Sequence, residues 1–223
     1  MKFFSSTLFA TICAVILAAS QTVHADDPPQ AVDIILAIMP DSATCNGKTA
    51  ECTTAADAAP YLIQGFQIYQ VSHAAEIGAI LATVGTESVD LAFRTNQSPG
   101  RPGQGSSNMQ LYENNLEFAR SNKNLTEGLN RIEGVSENPT DDIKNAVREL
   151  VIADPFNFWT GPWFYSTHCT DAQKAAFTKK GATEQELDDA FSDYSLSCVG
   201  VETTADGRME RWTEAKKAFG LSE

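Results

Sequence analysis

Apolar residues along this chain recur mostly at steps of three and four, the period of a helix, and no stretch alternates clearly enough to read as a strand. From Ala55 to Val71 the set Ala59, Leu62, Ile63, Phe66 and Tyr69 predicts a helix, with Pro60 tolerated near its first turn. Ser72 is placed to cap a second helix, from His73 to about Glu87. Its stripe of Ile77, Ile80, Leu81 and Val84 continues at the same spacing onto Glu87 itself. A helical pattern resumes from Leu111 to about Arg120. Thr140, with Asp141 and Asp142 in a favourable first turn, predicts a helix through Ile152. Thr183 caps another from Glu184 to Tyr194, and a last one runs from Thr203 to Phe219 and stops at Gly220.

The remaining segments read as connections. Residues 26–44, with Pro28, Pro29 and Pro40 around one apolar run, form an irregular lead-in that packs on the domain. Residues 94–110, dense in Gly, Pro, Ser and Asn, make a structured loop. Residues 121–139 are loop-rich, with a short helix hinted at Leu125, Leu129 and Ile132, and aromatics crowd residues 156–165. The expected fold class is mainly α: a single domain of about six helices with long Gly/Pro loops.

Lys2, the apolar run Leu8 to Ala19 and the small-residue pattern Val23-His24-Ala25 read as a secretory signal over residues 1–25. Secretion brings an oxidising compartment. Cys13 leaves with the signal, and Cys45, Cys52, Cys169 and Cys198 remain, an even number that suggests two disulfides. Pairing along the sequence joins Cys45 to Cys52 and Cys169 to Cys198; the other pairings stay formally open. The local bridges would contribute about 2.5 and about 3.6 kcal/mol by loop entropy. The cysteine spacing is not of a metal-binding type, and His73 and His168 are too few for a His-based zinc site, so neither metal nor cofactor is expected.

Sixteen basic against 29 acidic residues leave a net charge of −13. An acidic chain is not drawn to nucleic acid or anionic membranes, and neither is expected as a partner. Attraction to an anionic cell wall would need an acidic working pH, where protonation lowers the repulsion. Asn96-Gln97-Ser98 and Asn124-Leu125-Thr126 are glycosylation sequons that fit a eukaryotic secretory route, with Pro99 weakening the first. A secreted, extracellular monomer is expected.

Glu87 carries the most pointed chemistry. It sits where an apolar helix face reaches the helix C-terminus, and both burial and the negative end of the dipole disfavour its charge. A carboxyl that keeps its proton near neutral pH can donate it to a glycosidic oxygen. Asp90, three residues on, is a second catalytic candidate, able to act on a water or orient substrate, and Asp154 a third. In the loop, Gly100, Gly103 and Gly105 allow tight turns and close approach to a ligand, and Arg101 can offer planar hydrogen bonds to a wall carboxylate. Trp159, beside the turn-like Thr160-Gly161-Pro162, can stack on sugar rings.

Glu87-Ser88, the glycine-containing loop and Met109-Gln110 leading into the next helix resemble the lysozyme and soluble lytic transglycosylase superfamily. The chain is more closely similar to fungal secreted lysozyme-like proteins assigned as muramidases (glycoside hydrolase family 184). That likeness rests on Cys45 and Cys52, on Glu87-Ser88-Val89-Asp90, on the twelve-residue loop Pro99 to Gln110, on Trp163-Phe164, and on Cys169 and Cys198. It covers about residues 45–215, and the catalytic domain it implies occupies residues 45–223. By this resemblance Glu87 is the catalytic acid and Ser88 braces its turn. Gln104, Asn108 and Gln110 line the sugar cleft, joined as expected substrate contacts by Asn96, Arg101 and Trp159. The implied substrate is peptidoglycan or a chitin-like polysaccharide. Val89 departs from the family, which has glycine there, and a β-branched residue suits a left-handed turn poorly. That departure and the acidity motivate the alternative of a non-catalytic polysaccharide-binding protein or effector on the same scaffold.

Overall fold

Six helices lie where the apolar spacing puts them, in the computed structural model, which describes residues 30–135, 138–204 and 207–222. The expected signal over residues 1–25 lies outside them. In chain order the helices are α1 (Ala31–Ile38), α2 (Ala55–Ile68), α3 (Ala74–Ser88), α4 (Tyr112–Ser121), α5 (Thr126–Asn130), α6 (Asp141–Val151), α7 (Phe156–His168), α8 (Asp171–Phe177), α9 (Glu184–Asp193) and α10 (Arg208–Ala218). A π-helical turn, Tyr194–Val199, follows α9. The protein is therefore mainly helical. Among the described residues the β-structure is limited to isolated bridges that join Thr95 to Gly105 and Gly105 to Gln110.

The count of ten replaces the expected six for physical reasons. The lead-in is a helix, α1, which buries Ile35 and Ile38 against α10, α2 and α3. Helices α5 and α8 are too short to display a period. Helix α7 is apolar nearly all round, which erases the stripe. The turn expected at Thr160-Gly161-Pro162 is the buried middle of that helix. Gly161 lets the helices approach closely there: a Cβ would lie 3.2 Å from Cγ2 of Ile80 on α3, a tight contact.

Helix starts follow capping chemistry. The hydroxyls of Thr54, Thr140, Thr170 and Thr183 accept from the first turns of α2, α6, α8 and α9. At α3 the cap is His73 rather than Ser72. Its Nδ1 accepts from Ala75 N at 3.4 Å, and Glu76 Oε2 accepts from His73 N at 3.4 Å.

The core is built around α3, which packs mainly on α10 and also against α1, α7 and α8. Trp212 of α10 is fully buried and stacks on Phe191 of α9, with centroids 4.9 Å apart. A smaller cluster joins Phe118 and Leu125 to Val151, Trp159 and Trp163. Two disulfides pair Cys45 with Cys52 and Cys169 with Cys198. The first ties the segment before α2; the second fixes the end of α7 to the π-helical turn.

Candidate active site

The last turn of α3 aims Glu87 by way of an unusual backbone. Val89, Asp90 and Leu91 are all left-handed, with φ of 52°, 53° and 63°. Each such residue with a Cβ costs roughly 1–2 kcal/mol, so the turn persists only because its surroundings impose it. Ser88 supplies part of that brace. Its hydroxyl donates to Val84 O at 2.6 Å and accepts from Leu91 N at 2.9 Å. Asp90 N donates to Gly85 O, Phe93 N to Ser88 O and Thr53 N to Leu91 O. The positive-φ turn that Val89 argued against is thus present, with the Val89 side chain exposed.

Asp90 supplies the rest. It is buried, and one carboxylate oxygen accepts from Arg211 Nε at 3.0 Å and Nη2 at 2.7 Å. The other accepts from Asp41 N at 3.1 Å. Both oxygens are committed to holding α10 and the α1–α2 connection against the turn. The geometry makes Asp90 a structural partner of Arg211 instead of the second catalytic carboxylate expected from its position.

Glu87 faces the other way. Its side chain is 19% exposed and is ion-paired with Nη2 of Arg208, at the start of α10. The water-poor apolar surroundings expected for this carboxyl are thereby replaced by a compensating guanidinium. Arg208 is itself buried, and its Nε and Nη1 have no hydrogen-bond partner among the described residues.

Opposite α3, the loop from Arg94 to Gln110 is a braced structure. Glu51 accepts from Arg94 N at 2.7 Å, Thr95 N at 3.0 Å and the Thr95 hydroxyl at 2.6 Å. Burial alone would raise the Glu51 pKa, but these donors and the charge of Arg148 hold it below the ordinary value. Asn96 Oδ1 accepts from Gly100 N and Arg101 N, closing the loop tip. Gly105 is required where the strands of the loop meet, since a Cβ would lie 2.6 Å from Arg94 O. Gln104 Nε2 donates to Met109 O at 2.9 Å, and Gln110 Nε2 to Asn115 Oδ1 at 2.8 Å. Asn108 bridges Ser106 and Gln110. These amides reach the cleft from fixed positions.

Two adjoining cavities meet at Glu87. One, about 230 Å³, is lined by Glu87, Arg101, Gln104, Asn108 and Gln110, with Phe164 of α7 and Tyr194 closing it. The other, about 520 Å³, lies between Glu87, Arg208, Arg211 and the loop residues Thr95 to Ser98. Glu87 and Met109 border both, so the carboxyl stands between the two cavities. Burial pushes the Tyr194 hydroxyl up to about 12, against the opposing pull of the Thr83 hydroxyl and Arg208.

Of the residues singled out by sequence, Glu87, Arg101, Gln104, Asn108 and Gln110 converge on the first cavity, and Asn96 borders the second. Ser88 and Asp90 lie behind the turn. Asp154 is paired with Arg94, at 3.0 Å, away from both cavities. Trp159 borders neither: it is buried against Gly65 of α2 and the edge of Phe156, so it is a core residue. Arg208 and Tyr194 were missed. Both lie more than a hundred residues from Glu87, and no local pattern marks them.

Protein-family models give no match to this chain, and no solved structure matches it. A curated protein of Fusarium oxysporum (strain Fo5176), named as a bifunctional dioxygenase (DOX)-epoxy alcohol synthase (EAS), is 40% identical over 164 residues. Those residues are 74% of this chain and 12% of that protein. The chain thus spans about an eighth of the relative's length.

Proposed function

We propose that this chain is a secreted lysozyme-like glycoside hydrolase of the muramidase type. It cleaves β-1,4 bonds of peptidoglycan or a related N-acetylhexosamine polymer, with Glu87 as the general acid. One observation carries the reading: a single carboxyl stands between two adjoining cavities that are also bordered by the amide-rich loop. A strand laid through both lobes presents a glycosidic bond to that carboxyl. Secretion accords with the two disulfides; among the described residues no helix is long and apolar enough to cross a membrane.

Glu87 is the sole carboxylate bordering either lobe among the described residues, which favours chemistry assisted by the substrate's own acetamido group over a two-carboxylate mechanism. The acetamido oxygen attacks C1 as the bond from C1 to the leaving oxygen breaks. The leaving oxygen takes the proton from Glu87. Water then adds at C1 as the bond from C1 to the acetamido oxygen breaks, and it gives its proton to the Glu87 carboxylate. Because an ionised carboxylate only accepts hydrogen bonds, the pair with Arg208 must open before Glu87 can donate.

The dioxygenase and synthase activities in the relative's name are not carried over. Oxygen chemistry generally draws on a metal or haem. Among the described residues no group of three or more His, Cys, Asp or Glu is placed to hold a metal. His73 caps α3, His168 stacks on Phe164, and Cys45, Cys52, Cys169 and Cys198 are bonded in pairs. The matched residues are 12% of that protein, and the activities in its name remain its own.

The Arg208–Glu87 pair favours one alternative, a non-catalytic binding protein in which the compensated carboxylate only accepts hydrogen bonds from sugar hydroxyls. Product analysis on purified peptidoglycan separates the two. The hydrolase reading expects new reducing ends or anhydro-sugars from the native chain and a loss of about 10²–10⁴-fold in Glu87→Gln. Equal release by both proteins removes Glu87 from the mechanism. Binding without products establishes the alternative.

A further inference from the structure

The larger lobe has a charge pattern at odds with the rest of the molecule. In a chain of net charge −13, it is bordered by two guanidinium groups, Arg208 and Arg211, and by one carboxylate, Glu87. Arg211 spends Nε and Nη2 on Asp90, which lies beneath the cavity and does not border it. Arg208 gives only Nη2 to Glu87, and its Nε and Nη1 are buried without a partner among the described residues. Arg208 is 4% exposed, so these are donors withdrawn from bulk water at the wall of a cavity of about 520 Å³. A buried guanidinium with unmet donors is costly unless an acceptor arrives, and a carboxylate is its best geometric and electrostatic match.

We propose that this lobe is an anion subsite in which Arg208, buried beside Glu87 with two unpaired donors, takes a carboxylate carried by the sugar strand. The ligand chemistry is a sugar carboxylate, and the free lactyl group of a muramic-acid unit that carries no peptide is the source the cleft is assigned to. This names the substrate class of the same cleft and rests on the polysaccharide reading above. It also gives the Arg208–Glu87 pair a purpose. The incoming carboxylate takes Glu87's place on the guanidinium, and Glu87 is freed from the ion pair beside the bond to be cleaved. A neutral strand such as chitin leaves the pair closed. Arg208 is then a positioning and specificity residue, acting on catalysis through Glu87.

The test is equilibrium binding by calorimetry to four tetrasaccharides, with no dependence on turnover. They are an alternating N-acetylglucosamine–N-acetylmuramic acid tetrasaccharide, the same oligomer with its lactyl carboxyls reduced to alcohols, chitotetraose, and a hyaluronan tetrasaccharide whose carboxylates are uronic. The native protein is expected to bind the muramic oligomer about tenfold or more tightly than its reduced form. Arg208→Gln should shrink that ratio to within about twofold, and Arg208→Lys, which retains the charge, should fall between. Because the ligand-side comparison uses the native protein, it holds even where a variant at this buried position fails to fold. Preference for hyaluronan over the reduced oligomer supports the subsite and reassigns its carboxylate to a uronate. Equal affinity for native and reduced muramic oligomers, with no preference for hyaluronan over the reduced form, overturns the subsite while leaving Glu87-dependent cleavage standing. Absence of binding to all four overturns it together with the polysaccharide reading.

Discussion

Helix α3 carries Glu76 in its first turn and Glu87 in its last, two carboxyls on one element with different surroundings. Glu76 is buried, and its oxygens are spent: one accepts from the backbone of His73, the other from the Tyr165 hydroxyl at 3.0 Å. Burial and this carboxylate together push the Tyr165 hydroxyl far above its ordinary range. Glu87 sits at the negative end, on a strained turn, between two cavities, held by a guanidinium with donors to spare. What separates a structural carboxyl from a candidate catalytic one here is whether its acceptors are exhausted by the fold. Residue type does not separate them.

The difference can be broken most severely at the brace beneath Glu87. Asp90→Ala leaves Arg211 without its carboxylate and the left-handed turn without its anchor. A fall in unfolding free energy of about 3 kcal/mol is expected, given that one partner is buried and the other partly exposed. Denaturant melts would measure it, and a change under 1 kcal/mol would show that Asp90 is not structural. Next in size is Glu76→Ala, expected to cost about 2 kcal/mol through the lost cap and the stranded Tyr165 hydroxyl. Its product yield per folded molecule should match the native chain; a loss comparable to that of Glu87→Gln would erase the contrast. Smaller and of opposite sign, Val89→Gly should stabilise by up to about 1 kcal/mol, because glycine adopts the φ of 52° freely and the valine side chain it removes is exposed. A drop in Tm would mean the turn is less strained than its dihedrals imply.

The smallest effect concerns pH. The Glu51 pKa is lowered from 4.5 in the folded protein. Its contribution is therefore complete above about pH 4.5 and is lost as pH falls through the depressed value. A stability profile from pH 6 to 2 should show an acid limb that Glu51→Gln flattens, and an unchanged limb would place the acid sensitivity elsewhere.

Much of this molecule was legible in its order of residues, because the information is local. The starts of α6 and α9 follow from a threonine before an apolar period, and the nearest-neighbour cysteine pairing is the one formed. The loop from Pro99 to Gln110 announces itself by composition, and its amides do line a cavity with Glu87. Helix α7 was opaque for the opposite reason. A segment buried on every side has no polar face to give its period away, and Pro162 and Gly161 read as a turn. Trp159 was misplaced by the same inference.

Spacing along α3 determined that a carboxyl ends its apolar stripe, since a period is a property of neighbours. Which partner that carboxyl meets was decided only when α10 packed across α3. That contact sets Arg208 on Glu87 and Arg211 on Asp90, each 121 residues away along the chain. Charge pairing acts over a few ångströms of space, and no pattern within a helix encodes which distant guanidinium will arrive there.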